Sequence, residues 1–183
     1  MSSEPTIDHI GLSSDLNATA ASLLGLLSGR PMTGWELYAT FEDTIGNFWS
    51  ITRSQVYREL RALAERGLIE MGASGVRDRR SCTITPLGRQ TFAAWIARMP
   101  GPEQIRFPLL LTVFFGDAVP PEKLRDVCIV HRRLHAERLA TYEAQLPQAR
   151  AEAAYPALAL EFGIRYERTV LAWIDALPLM REA

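Results

Sequence analysis

Cysteine, lysine and long apolar runs are what this 183-residue chain has least of. Its two cysteines, Cys82 and Cys128, cannot build a disulfide framework, so reduced thiols and a cytoplasmic setting are expected. No apolar run approaches the ~20 residues that cross a bilayer, so no membrane partner is expected. No basic segment followed by an apolar one opens the chain, so no secretory signal is expected, and residues 1–16 read as a polar tail. Also missing are G-x-S-x-G, a glycine-rich phosphate loop, H-E-x-x-H and a cysteine–histidine pair in a nucleophile's context. The chain is therefore not expected to be an enzyme or to need a cofactor.

Of the twenty basic residues, only Lys123 is a lysine. The net charge of −1 is an average over unlike halves. Between Ser50 and Gln90 eight arginines face four acids, whereas from Thr91 onward eleven basic and eleven acidic residues cancel. Positive charge is thus concentrated in one segment, as an element that approaches phosphates requires.

That segment begins with Ser50–Ile69. Thr52 and Gln55 have the spacing of a capping box. Val56, Leu60 and Leu63 recur on one side of a helix, and Gly67 stands where a left-handed terminal residue is needed. The outer side carries Arg53, Tyr57 and Arg61 on one line and Ser54 and Arg58 on the next. Such a face suits a DNA groove, although a solvated surface helix can look the same.

The flanks favour DNA. Before it come a helix over Asn17–Ser28 and a second helix opened by Thr33, with Glu36 completing another capping box. A connector holds Phe48 and Trp49, which are expected to plug the space between helices. After Gly67, a short strand at Leu68–Met71, a glycine turn, the charged tip Val76–Arg80 and a returning strand at Ser81–Thr85 make a wing. Three arginines at one tip repel each other unless an anion neutralises them, and backbone phosphates would do so. Thr85-Pro86 opens a helix to Met99, and Pro100-Gly101-Pro102 marks a boundary between domains at 17–99 and 100–183.

The second domain reads as helical. Phe107–Phe115 suits a short buried helix interrupted by Pro108. A long helix runs from Pro121 to Leu146, where Pro147 ends it. Its apolar sector holds Leu124, Val127, Cys128, His131, Leu134, His135, Leu139, Tyr142 and Leu146. A last helix, Pro156–Leu177, is apolar on two sides, with Ile164, Leu171 and Ile174 on one and Tyr166, Val170 and Trp173 on the other. About 80 residues are too few to cover both sides, so a second copy of the chain is expected. Leu124, Val127, His131, Leu134, Leu139, Tyr142, Ile164, Leu171, Trp173 and Ile174 are the candidate dimer contacts.

S-L-L-G-L-L-S-G-R-P-M-T-G-W-E-L at 22–37, I-G-N-F-W-S-I-T-R-S-Q-V-Y-R-E-L-R-A-L-A-E-R-G-L-I-E at 45–70 and R-D-R-R-S-C-T-I-T-P-L-G-R at 77–89 resemble the PadR family of bacterial transcriptional regulators. P-L-L-L-T-V-F-F-G and E-F-G-I-R-Y-E-R-T-V-L-A-W resemble the members with a long C-terminal region. Ser81-Cys82 departs from the pattern, where an aromatic residue is common. The resemblance implies a mainly α protein: a winged helix-turn-helix DNA-binding domain followed by an α-helical dimerisation domain. It also implies a dimeric repressor of nearby genes, in several members released by a small aromatic ligand.

Under that resemblance Thr52, Arg53, Ser54, Gln55 and Tyr57 become candidates for base edges or flanking phosphates, with Gln55 equally suited to capping alone. Arg58 and Arg61 are assigned to phosphate, and Arg77, Arg79 and Arg80 to the backbone or the minor groove. A dimer would bind a palindrome in double-stranded DNA with half-sites ~34 Å apart. Phe107, Phe114, Phe115 and Tyr166 are candidates for an effector pocket. Two alternatives remain open: a metal-responsive regulator using Cys128, His131 and His135, whose C-x2-H-x3-H spacing can hold zinc or copper, and a winged-helix module for protein partners.

Overall fold

The computed structural model describes residues 16–44, 49–73, 80–102 and 105–181. The chain divides between Gly101 and Pro102 into two compact units.

Unit 1 packs four helices around a small sheet. Helix α1 (Ala18–Leu27) is capped by Asn17, whose side-chain oxygen accepts the Ala20 N–H at 2.8 Å. Strand β1 (Met32–Thr33) leads directly into α2 (Gly34–Thr44). There Thr33 Oγ1 accepts the Glu36 N–H at 3.2 Å, and Glu36 Oε2 accepts the Thr33 N–H at 2.7 Å. Those hydrogen bonds to Thr33 hold the Glu36 carboxyl below the ordinary carboxylate range. Helix α3 (Arg53–Glu65) stops at Gly67, the one described glycine with positive φ, at 68°. Leu68 N–H donates to Leu63 O and Gly67 N–H to Ala64 O, both at 2.9 Å, which satisfies two carbonyls left over at the helix end.

Strands β2 (Ile69–Met71) and β3 (Ser81–Ile84) follow, then α4 (Pro86–Ile96). The sheet order is β1-β3-β2, all antiparallel, with Cys82 opposite both Met32 and Met71. The first strand of this sheet is not foreshadowed in the sequence. Two residues carry no periodicity, and pairing across a sequence gap of about fifty residues is what makes Met32–Thr33 a strand. The core gathers Leu23, Leu24, Leu27, Leu37, Phe41, Val56, Leu60 and Leu63, each at most 1% exposed. Burying each such side chain contributes about 1.5–3 kcal/mol.

Two local expectations are corrected here. Helix α4 ends at Ile96, short of Met99, and Ile96 and Met99 are exposed. Trp49 does not plug an interhelical gap: it stays 48% exposed, with its indole N–H reaching Thr19 Oγ1 at 3.4 Å. An amphipathic ring can keep its body in water when its polar edge is held. Phe48 lies outside the described residues.

Unit 2 contains α5 (Pro108–Phe114), a 3-10 turn at Gly116–Ala118, α6 (Pro121–Glu152), α7 (Ala154–Ala176) and α8 (Pro178–Arg181). Only Ala153 separates α6 from α7, and the two run antiparallel. Arg132–Asp175, Arg168–Glu143 and Arg150–Glu161 pair in reverse order along the two helices. Each exposed pair is worth at most about 1 kcal/mol, so they set register more than stability. Pro147 lies inside α6 and does not end it. Proline forfeits one backbone bond, and the helix continues for another turn with α7 alongside, where Arg150 reaches Glu161 at 2.8 Å.

Helix α5 departs from the buried helix expected of its sequence. Leu109 is buried, but Leu110, Leu111, Phe114 and Phe115 are exposed. Part of the cover expected from a second chain comes from the chain itself. Leu124, Tyr142, Ile164 and Ile174 are buried within unit 2, and Val127 and Trp173 pack on a cluster of Leu109, Cys128, Val170 and Ile174. The α6–α7 hairpin with α5 and α8 covers part of α7 and leaves Tyr155, Leu158 and Phe162 exposed.

Candidate nucleic-acid interface

Helix α3 has two chemically separate sides. Val56, Leu60 and Leu63 anchor it in the core of unit 1 at 0–1% exposure. Its start is fixed by the capping box, in which Gln55 Oε1 accepts the Thr52 N–H at 2.7 Å and Thr52 Oγ1 accepts the Gln55 N–H at 3.2 Å. Gln55 is half-buried, and its carbonyl oxygen is spent on the cap. The cap uses the Gln55 side-chain oxygen, and the amide Nε2 takes no part in it.

The other side faces solvent. Arg53, Ser54, Tyr57, Arg58 and Arg61, with Ala62 and Glu65, line one open depression along α3. Thr52 is exposed at its head. The Arg53 guanidinium lies 5.7 Å from the centre of the Tyr38 ring, within cation–π range. Arg58 Nη2 meets Glu59 Oε1 at 3.1 Å, yet the Arg58 side chain keeps 69% of its exposure. Tyr57 is 42% exposed and packs on Gly34 of α2, where a Cβ would come within 2.7 Å of its ring. This surface presents guanidinium, hydroxyl and phenol donors from a rigid helix, the chemistry that base edges and phosphates accept.

Arg80 leads into β3 and is exposed. Arg77 and Arg79, expected at the wing tip, lie outside the described residues.

Sequence reasoning missed several supports of this face. Glu59 is buried, with 8% exposure, and its Oε2 accepts from Asn17 Nδ2 at 3.1 Å. Asn17 therefore caps α1 and also ties it to α3. A signal was present: Glu59 fills the i+3 place in the stripe Val56, Leu60, Leu63, where an acid needs a partner. Gly34 and Tyr38 carried no such signal, because their contacts cross between helices.

In unit 2 the predicted effector residues separate. The Phe107 ring lies 6.0 Å from His135 and 5.9 Å from Trp173, and Tyr166 packs on the same cluster. Phe114 and Phe115 form an edge-to-face pair at 4.9 Å and are 78% and 58% exposed. The candidate metal set does not assemble. Among the described residues no three His, Cys, Asp or Glu side chains are arranged to hold a metal ion. His135 Nδ1 is engaged by Glu167, and burial pushes the Cys128 thiol up, away from the thiolate form. Burial, then the neighbouring His135 and Arg138, lowers the His131 pKa below 6.5. Glu167, 1% exposed, went unrecognised although it stands between Ile164 and Leu171 in the apolar stripe of α7.

Comparison with known proteins agrees with this geometry. Residues 23–94 match the transcriptional regulator PadR-like family, and residues 105–177 match the virulence activator alpha C-terminal family. The negative transcriptional regulator PadR of Bacillus subtilis is 23% identical over 172 residues, covering 87% of this chain and 94% of that protein. Its structure in complex with operator DNA superposes with a TM-score of 0.72 at 21% identity, over 88% of this chain and 96% of that one. Its complex with p-coumaric acid gives 0.68 at 22%, over 87% and 96%. The family consists of transcriptional regulators, not enzymes. The arginine-faced third helix thus lies in a segment that matches the PadR-like family of transcriptional regulators, and the helical unit after it lies largely in one that matches the virulence activator alpha C-terminal family.

Proposed function

We propose that the chain is a dimeric repressor that reads a palindromic operator in the cytoplasm and is released by a small aromatic ligand. The exposed face of α3 carries the proposal. Arg53, Ser54, Tyr57, Arg58 and Arg61 converge on one open surface while the opposite side is locked in the core. Arg53, Ser54 and Tyr57, near the start of α3, are assigned to base edges and adjoining phosphates, with Thr52 at the cap. Arg58 and Arg61 are assigned to phosphate, and Arg77, Arg79 and Arg80 to the duplex backbone or the minor groove. The operator complex and the p-coumaric acid complex of the Bacillus subtilis relative support the two halves of the mechanism. No helix among the described residues is long and apolar enough to cross a membrane.

A second copy is the proposed cover for the apolar side chains that unit 2 leaves in water: Leu111, Phe114 and Phe115 after Pro108, Ile129 and Val130 on α6, and Phe162 on α7. Of the dimer contacts expected from sequence, Leu134 is exposed at 39% and stays in this set. Leu139, Leu171 and His131 are half-buried and contribute less.

Binding to the DNA upstream of the chain's own gene, titrated with salt, tests the reading. Arg53→Ala with Arg61→Ala is expected to weaken binding and flatten the salt dependence by roughly 0.9 for each phosphate no longer neutralised. An unchanged affinity and slope would remove α3 from the interface. Sedimentation at micromolar concentration should show a dimer, and a monomer would overturn the proposed cover of unit 2.

A further inference from the structure

Helix α2 touches the outer face of α3 at two places. A Cβ added to Gly34 would lie 2.7 Å from Tyr57 Cε1, 3.1 Å from Tyr57 Cζ and 3.3 Å from Leu60 Cδ1. One turn later, the Tyr38 ring lies under the Arg53 guanidinium at 5.7 Å. Tyr57 and Arg53 stand on one line of α3, at i and i+4, and both face the open depression. Each is thus held from behind by one residue of α2.

We propose that Gly34 and Tyr38 are positioning residues for DNA reading: Gly34 sets where the Tyr57 ring stands and Tyr38 sets the direction of Arg53. This rests on the assignment of α3 to operator binding and adds a specificity determinant on a second helix.

The direction of yielding decides what Gly34 does. The start of α2 cannot retreat, because Thr33 is paired with Ser81 in the sheet and is bonded to Glu36 in the cap. Leu60 cannot retreat either, being 1% exposed in the core. The Tyr57 ring, 42% exposed, is the one neighbour free to swing. Gly34 is the first residue of α2 and its φ is not positive, so the helix itself accepts alanine. A methyl group at position 34 therefore turns the ring away from its present place and leaves the fold standing. Tyr38 acts more weakly, since an exposed cation–π contact changes an equilibrium only a few-fold.

The experiment uses the full chain. Wild-type protein selects a duplex from a random-sequence library, and that duplex becomes the probe. Fluorescence anisotropy gives affinities for it and for an unrelated duplex of equal length, for wild type, Gly34→Ala, Tyr57→Ala and the double variant. Gly34→Ala is expected to lower the ratio of specific to unrelated affinity about tenfold, the scale of one base-directed interaction. Tyr57→Ala should do the same, and adding Gly34→Ala to it should lower the ratio no further, because the ring is gone. Tyr38→Leu should weaken specific binding about two- to fivefold. Partial unfolding reduces both affinities together and leaves the ratio unchanged, so an unchanged ratio in Gly34→Ala overturns the proposal. So does an equal drop from Gly34→Ala with or without the Tyr57 ring. If wild type recovers no sequence, the operator assignment itself falls, and the inference with it.

Discussion

Removing the Glu167 carboxylate should loosen unit 2 more than any surface change. Its side chain is 2% exposed and that of His135 is 5% exposed. Nδ1 of His135 meets one carboxylate oxygen, and Arg138 Nη1 lies 3.8 Å from the other. In Glu167→Ala the His135 ring nitrogen is left without its partner inside the hairpin, at about 1–3 kcal/mol. A void also opens where the side chain stood, at about 0.8 kcal/mol per buried methylene. The sum agrees with the roughly 3–5 kcal/mol typical of breaking one side of a buried pair. Glu167→Gln keeps the shape and an accepting oxygen and should cost about half as much. Replacing both partners, His135→Leu with Glu167→Leu, should restore most of the stability, since Arg138 is 41% exposed and can turn to water. Hydrogen exchange read peptide by peptide across Gly163–Ile174 measures unit 2 alone. Opening energies within about 1 kcal/mol of wild type in Glu167→Ala would refute the reasoning, as would a double variant no better than the single one.

Three further outcomes can be checked separately. The folded chain holds the His131 pKa below the free value of 6.5, by burial first and then by His135 and Arg138. The stability this contributes is complete above that value and is lost as the pH falls through the lowered folded pKa, so acid-side exchange protection of α6 should drop, and His131→Leu should flatten the drop. A Cβ at Gly88 would sit 2.1 Å from the Leu68 carbonyl oxygen and 2.9 Å from Ile84 Cγ1, so Gly88→Ala must move backbone. It should destabilise unit 1 by at least about 1–3 kcal/mol, read as a lower melting temperature. Thr52→Ala removes one half of the α3 capping box, and chemical denaturation should show a stability decrease of about 1 kcal/mol.

What the sequence alone determined was local. Thr33, Thr52 and Thr85 announce three helix starts because a short polar side chain satisfies free N–H groups within its own turn. Gly67 announces a helix end because its φ of 68° suits glycine. The stripe Val56, Leu60, Leu63 already separates the buried from the exposed side of α3, and with it the arginine face. The tertiary structure decided whatever depends on a partner distant in the chain. Met32–Thr33 is a strand only because β3 lies beside it. Gly34 and Tyr38 come to bear on α3 only once α2 is laid across it. Pro147 reads as a stop in one dimension, yet α6 runs on beside α7. Ile164 and Ile174 look in need of a second chain until the hairpin covers them. Capping and periodicity act over one or two turns, whereas burial is a property of what packs alongside, and no spacing within a single helix encodes its neighbour.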